Sequence, residues 1–221
     1  MKFLVINHPR VPVPKRAPIE GCVDYFTKFV TRRKATVYPM VGPKSYATII
    51  DVDSGEDLNK VLSDNPMAPN EEYWIYPLSD LDSLLGNGDD VQERIRTLPI
   101  VKLRDKSPGV YLQKFLVIGK VAKPIPPGAN IKGSLEQLRI LKERGRAEAY
   151  AIVGMEGFVA IVEVSNNDEL NDILYKNPLG RWGEYSVYPL GTFAGERRTL
   201  TEIGLTRSEM LQEAQGVSTI G

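Results

Sequence analysis

The chain has 221 residues, with 28 basic side chains against 28 acidic ones, one cysteine and one histidine. Balanced charge leaves no field of one sign to draw in nucleic acid or an anionic membrane surface, and the lone Cys22, with no zinc-ligand spacing around it, excludes an internal disulfide. The opening MKFLVIN runs straight into proline-rich sequence, too short an apolar run for a signal peptide or a membrane span, so a soluble, cytoplasmic protein is expected.

Residues 3–7 form an apolar, β-branched run bounded by His8-Pro9, the pattern of a strand covered on both faces. The prolines in residues 11–18 forbid a helix and predict an extended arm. Ile19, Val23, Phe26 and Val30 then recur at helical spacing, with Cys22 beside them, which predicts an amphipathic helix to about Lys34. Residues 35–41 and 46–52 flank Gly42-Pro43-Lys44 as a hairpin with glycine at the bend. A short helix built on Leu58, Val61 and Leu62 ends at Asn65-Pro66, because the residue before a proline is pushed out of the α region. A last strand spans 71–77.

The same order then repeats. Lys2-Phe3-Leu4-Val5-Ile6 recurs letter for letter as Lys114-Phe115-Leu116-Val117-Ile118, an offset of 112. That offset holds without a gap at Tyr38/Tyr150, Leu58/Leu170, Asn65/Asn177, Glu72/Glu184, Tyr76/Tyr188 and Pro77/Pro189. In the second copy Leu135, Leu138 and Leu141 mark the first helix, which stops at Gly145; Gly154 bends the hairpin, and Ser165 with Asp168 is the expected cap of the next helix. A repeat of about 80 residues makes two small domains, expected at 1–82 and 113–194, with a linker at 83–112 and a tail at 195–221. Short helical stretches are expected at 90–98 and 207–214.

The order β, α, β, β, α, β is the split arrangement of ferredoxin-like domains. One such sheet, with both helices on one face, leaves the other face bare, and the attached second copy is its natural cover. The expected class is therefore α+β: two tandem ferredoxin-like domains forming one pseudo-dimeric barrel with pseudo-twofold symmetry inside the chain.

Gly145, the Gly154 hairpin, the stretch VEVSNNDELNDILYKNPL at 162–179 and the closing strand resemble the muconolactone isomerase-like branch of the dimeric α+β barrel superfamily. The resemblance implies a cavity within or beside the barrel, a small organic substrate such as a lactone, and isomerisation by proton transfer without metal or organic cofactor. Lactone-isomerising members place polar side chains along the first strand, where this chain has Phe3 to Ile6 and Phe115 to Ile118, so no family catalytic residue is carried over.

Proton transfer needs a positioned group with a pKa near the working pH. Glu72 and Tyr76 lie four apart on a strand and share a face with Trp74 between them, as do Glu184 and Tyr188. Either this face lines a cavity, where burial raises a Glu pKa, or the pairs pack the interface of the halves. His8, matched by Lys120, stands at the rim where the first strand ends, as a proton-exchanging group or as a solvated loop histidine. Tyr38 and Tyr150 read as cavity hydrogen bonders or as core wall. The copies differ at Thr36/Glu148, Lys44/Glu156 and Ser63/Tyr175, through a site kept in one half or through drift. No phosphate loop, metal-ligand pair or nucleophile elbow is present, so neither cofactor nor metal is expected.

The leading expectation is a cofactor-independent isomerase or cyclase acting on a small, mostly apolar oxygenated compound. Its catalytic candidates are Glu72, Tyr76, Glu184, Tyr188 and His8, with Tyr38, Trp74 and Tyr150 as substrate contacts. The alternatives are a cofactor-free monooxygenase and a non-catalytic ligand-binding or assembly module. The expected partner is a small molecule, with no nucleic acid and no membrane, and the two-domain chain could itself pair as a homodimer. A cavity of about 300 Å³ or more with convergent polar groups separates an enzyme or carrier from a module with a filled barrel.

Overall fold

The computed structural model describes residues 1–10, 25, 28–30, 32, 34–41, 45–85, 112–127 and 132–191. The expected arm at 11–18, Cys22 with most of the first helix, the helical stretches at 90–98 and 207–214 and the hairpin tip at 42–44 lie outside them.

The first half contains β1 (Lys2–Pro9), β2 (Ala35–Pro39), β3 (Tyr46–Asp51), α1 (Gly55–Ser63), β4 (Glu71–Asp80) and α2 (Leu81–Leu85). The second contains β5 (Gln113–Val121), α3 (Lys132–Glu143), β6 (Ala147–Ile152), β7 (Gly157–Val164), α4 (Asn167–Lys176) and β8 (Gly183–Leu190). None of these helices is long and apolar enough to cross a membrane.

Local chemistry sets the boundaries. Ser54 caps α1 by accepting from the Asp57 amide, and Asn166, 112 residues on, caps α4 by accepting from the Glu169 amide. The α4 cap is thus Asn166, one residue after the expected Ser165. Ser165 instead donates its amide and hydroxyl to Glu169 Oε2, at 2.6 and 2.8 Å, which closes a capping box one position out of the expected register. Gly145 after α3 has φ 63°, a left-handed conformation that glycine adopts without steric cost. Both Asn-Pro turns are built alike: Asn65 Oδ1 accepts from the Met67 amide at 3.1 Å and Asn177 Oδ1 from the Leu179 amide at 3.0 Å, the local bond that favours asparagine in a turn. The α2 helix crosses the expected domain boundary at 82, because Leu81 and Leu85 fall on one helical face and are buried against the second half.

The strands lie in the order β2-β3-β1-β4-β6-β7-β5-β8, and every named pairing is antiparallel. Each half therefore has the same internal order, first hairpin strand outermost and closing strand at the opposite edge, as a ferredoxin-like unit requires. At the join, Leu78 pairs with Ile152. The opposite edges meet where Met40 pairs with Leu190, the same contact shifted by 112 on each side. The seam bonds match too: the Val153 amide donates to the Pro77 carbonyl at 2.9 Å and the Val41 amide to the Pro189 carbonyl at 2.8 Å. The sheet thus closes into an eight-stranded α+β barrel whose free edges are abolished.

Alternation divides the apolar residues into layers. Leu4, Ile6, Ala47 and Ile49 of the first half meet Leu116, Ile118, Val159 and Ile161 of the second inside the barrel. Phe3, Val5 and Ile50 face outward onto Leu58 and Leu62 of α1, while Phe115, Val117 and Val162 face Leu138, Leu141 and Ile173. The first-strand runs are covered on both faces, as expected, and each half supplies the other's inner cover.

Candidate functional site

The inward residues of β1 and β5 are Lys2, Leu4, Ile6 and His8, and Lys114, Leu116, Ile118 and Lys120. Their middle members fill the barrel as a packed apolar belt. Polar chemistry is therefore confined to the two ends.

At the end marked by Lys2 and Lys114, the two halves meet on one carboxylate. Tyr150 Oη donates to Glu148 Oε1 at 2.5 Å, and Tyr38 Oη, from the first half, donates to Glu148 Oε2 at 3.2 Å. Lys2 Nζ donates to Tyr150 Oη at 3.4 Å and lies 4.6 Å from the centroid of that ring. The matching pair, Lys114 over Tyr38, stands at 5.9 Å. Each lysine thus reaches a tyrosine of the other half. Glu148 breaks the symmetry, because its counterpart is the exposed Thr36.

Tyr150 is buried, and Tyr38 and Glu148 are half-buried. Burial, followed by the charge and hydrogen bonding of Glu148, pushes both phenols well above their ordinary pKa. They remain protonated donors across the neutral range. A concavity of about 180 Å³ opens here between Tyr38, Lys114, Arg146, Glu148, Ile161 and Glu163. A second, of about 350 Å³, lies among Met1, Lys2, Asp51, Leu78, Ser79 and Asp80.

The other end carries the remaining candidates. Lys120 Nζ donates to Tyr76 Oη at 3.2 Å, again across the halves, and the His8 ring packs on Trp74 with centroids 4.1 Å apart. Tyr76 and Tyr188 border the apolar belt. Glu72 and Glu184 do not behave as expected. Both are exposed, opposite the end residues His8 and Lys120, and Glu72 pairs with Arg10 at 3.6 Å. Sharing the inward face with Tyr76 and Tyr188 does not bury them, because each carboxylate is the second residue of its strand and lies beyond the end of the belt. The expectation that one of them faces a cavity is corrected accordingly.

Of the buried carboxylates among the described residues, Glu71 and Glu169 are committed to structure. Glu71 accepts from Asn7 at 2.7 Å, Asn65 at 2.9 Å and Tyr73 at 2.8 Å. Glu169 pairs with Arg146 at 3.0 Å. Among the described residues no group of three or more His, Cys, Asp and Glu side chains is placed to hold a metal ion.

Glu148, Lys2 and Lys114 were absent from the sequence-derived candidates. The two lysines stand two residues before inward Leu4 and Leu116, and Glu148 stands two before Tyr150, so strand alternation alone puts all three on the inner face.

No family model matches the chain, and no curated protein matches it. Among solved structures it is similar to a chlorite dismutase-like protein, at 10% identity and a TM-score of 0.45 over 87% of this chain and 95% of that one. It is also similar to an anthrone oxidase-like protein, at 11% identity and a TM-score of 0.39 over 86% and 92%.

Proposed function

We propose that the barrel end built on Glu148 binds a small, uncharged oxygenated compound of the lactone or enone kind and moves a proton on it, as a cofactor-independent isomerase. The observation that carries this reading is the Glu148 carboxylate, held between Tyr150 at 2.5 Å and Tyr38 at 3.2 Å beside a concavity. The lysines add little net positive charge, since Lys114 lies 3.3 Å from Glu163 and Lys2 lies 4.0 Å from Asp80. A neutral ligand suits that balance better than an anion.

In this reading a substrate carbonyl takes over a tyrosine hydroxyl donor, and the freed Glu148 oxygen removes a proton from the adjacent carbon. The C–H electron pair moves into the conjugated system and onto the carbonyl oxygen, where Tyr38 or Tyr150 stabilises the developing charge. Glu148, which exchanges its proton with water at the open barrel end, then gives a proton back to that carbon or on to the far carbon of the system, and delivery to the far carbon shifts the double bond and leaves the atom count unchanged. General acid–base catalysis of this kind contributes on the order of 100- to 10,000-fold. Assay of five- and six-membered unsaturated lactones should find double-bond migration that Glu148→Gln lowers about 100-fold or more. Equal rates in the two proteins would overturn the assignment.

A second reading, an assembly module with neither ligand nor chemistry, is favoured by the filled barrel. The belt of Leu4, Ile6, Leu116 and Ile118 leaves the substrate only the end of the barrel, and the concavity at Glu148 falls below the roughly 300 Å³ usual for ligand sites. Absence of both binding and turnover of the same lactones would favour it.

A further inference from the structure

The opposite end of the barrel holds two polar groups that the halves do not share. His8 Nε2 and Ser45 Oγ are buried with no hydrogen-bond partner among the described residues. They are neighbours: β1 pairs with β3 so that Asn7 faces Tyr46, and one further step sets His8 opposite Ser45. Both continue the inward face, His8 after Leu4 and Ile6, Ser45 before Ala47 and Ile49. Ser45 is 1% exposed.

The second half has nothing equivalent. Counterparts 112 residues on are Lys120, whose ammonium is bonded to Tyr76 at 3.2 Å, and Gly157, which has no side chain. Trp74, whose ring packs on His8, stands where the second half has Ser186, and it is 47% exposed. Three substitutions at one corner thus create an unsatisfied imidazole nitrogen, an unsatisfied hydroxyl and an exposed aromatic wall. Buried polar groups are ordinarily paired, so an adjacent orphaned pair beside a half-exposed indole points to a missing bonded group. The charges nearby are already engaged, Glu72 with Arg10 at 3.6 Å and Lys120 with Tyr76, which disfavours an ion.

We propose that this corner binds an uncharged planar ring bearing one hydroxyl. The ring packs on Trp74, which shifts to admit it, and the hydroxyl donates to one of His8 Nε2 and Ser45 Oγ while accepting from the other. A hydroxyl can do both. The site stands apart from Glu148 and does not depend on proton transfer there.

The test is an NMR titration of the intact chain with phenol, and with toluene as the ring lacking a hydroxyl. The two indole N–H signals are assigned by Trp74→Phe. Phenol should shift the Trp74 indole and the His8 ring signals saturably, and toluene should bind at least tenfold more weakly. Ser45→Ala should weaken phenol at least tenfold while leaving toluene unchanged. If that variant does not fold, the phenol-to-toluene comparison on the unaltered chain decides alone. No saturable shift at Trp74 and His8, or equal affinity for the two rings, would overturn the proposal, and so would a trapped water bridging His8 and Ser45 that phenol does not displace.

Discussion

The Tyr150 hydroxyl donates to the Glu148 carboxylate at 2.5 Å, from two residues further along the same strand. Residues at that spacing share a face, so the bond needs no long-range closure, whereas Tyr38 must be brought from the other half. Replacing Glu148 by Gln removes the charge but keeps the shape. Absorbance titration of tyrosine should then show the Tyr38 and Tyr150 phenols ionising at lower pH than in the unaltered chain. They should stay above the ordinary value near 10, because burial, the largest cause of the rise, is untouched. Identical titration curves would place the cause elsewhere.

Three phenols, Tyr38, Tyr150 and Tyr185, have pKa values raised in the folded chain, Tyr185 by burial alone. Above about pH 10 the unfolded chain sheds these protons while the folded chain keeps them. The stability they supply is therefore fully present below that pH and lost as the pH climbs. Each such tyrosine adds a slope of about 1.4 kcal/mol per pH unit. Urea midpoints measured between pH 9 and 11 should stay level up to the region of 10 and then fall.

Leu4 and Leu116 occupy the same inner layer from different halves, both without exposed surface. Leu116→Ala should destabilise the chain by about 2–5 kcal/mol. Unfolding followed by far-ultraviolet circular dichroism and by tryptophan fluorescence should still be one coincident transition, because Trp74 and Trp182 report opposite halves of a shared core. Two separated transitions would mean that the halves are independent.

Glu71→Ala leaves the Asn7, Asn65 and Tyr73 donors facing an empty acceptor position. An unsatisfied buried donor costs about 1–3 kcal/mol, so a loss of about 3 kcal/mol or more is expected in denaturant unfolding. The second half solves the same position differently. Gly119 and Gly183 replace Asn7 and Glu71, and a Cβ on Gly119 would fall 2.6 Å from the Phe158 ring. Gly119→Ala should accordingly destabilise the chain, by about 1–3 kcal/mol as in other overpacked cores.

The order of strands and helices along each half could be read in advance because the period-2 pattern and the Asn-Pro turns are local signals repeated at a fixed offset. Leu78 opposite Ile152 and Leu190 opposite Met40 follow from that offset once one seam is known. The site was less legible. Glu72 and Tyr76 do share a face, but where a barrel ends along a strand is set by register with β1, and Glu72 falls at His8, beyond the packed belt. Glu148 stood out only as a difference from Thr36, since its value depends on Tyr38 arriving from the other half. The α2 helix was hidden because Leu81 and Leu85 make too short a pattern to separate from a linker.

Proton transfer at Glu148 can be followed by hydrogen–deuterium exchange on carbon. A β,γ-unsaturated five-membered lactone is incubated with the chain in D2O and followed by proton NMR. Deuterium should enter the carbon next to the carbonyl faster than in buffer alone. That acceleration should fall about 100-fold or more in Glu148→Gln and be kept in Glu72→Gln and Glu184→Gln. Exchange no faster than in buffer, or undiminished in Glu148→Gln, would contradict it.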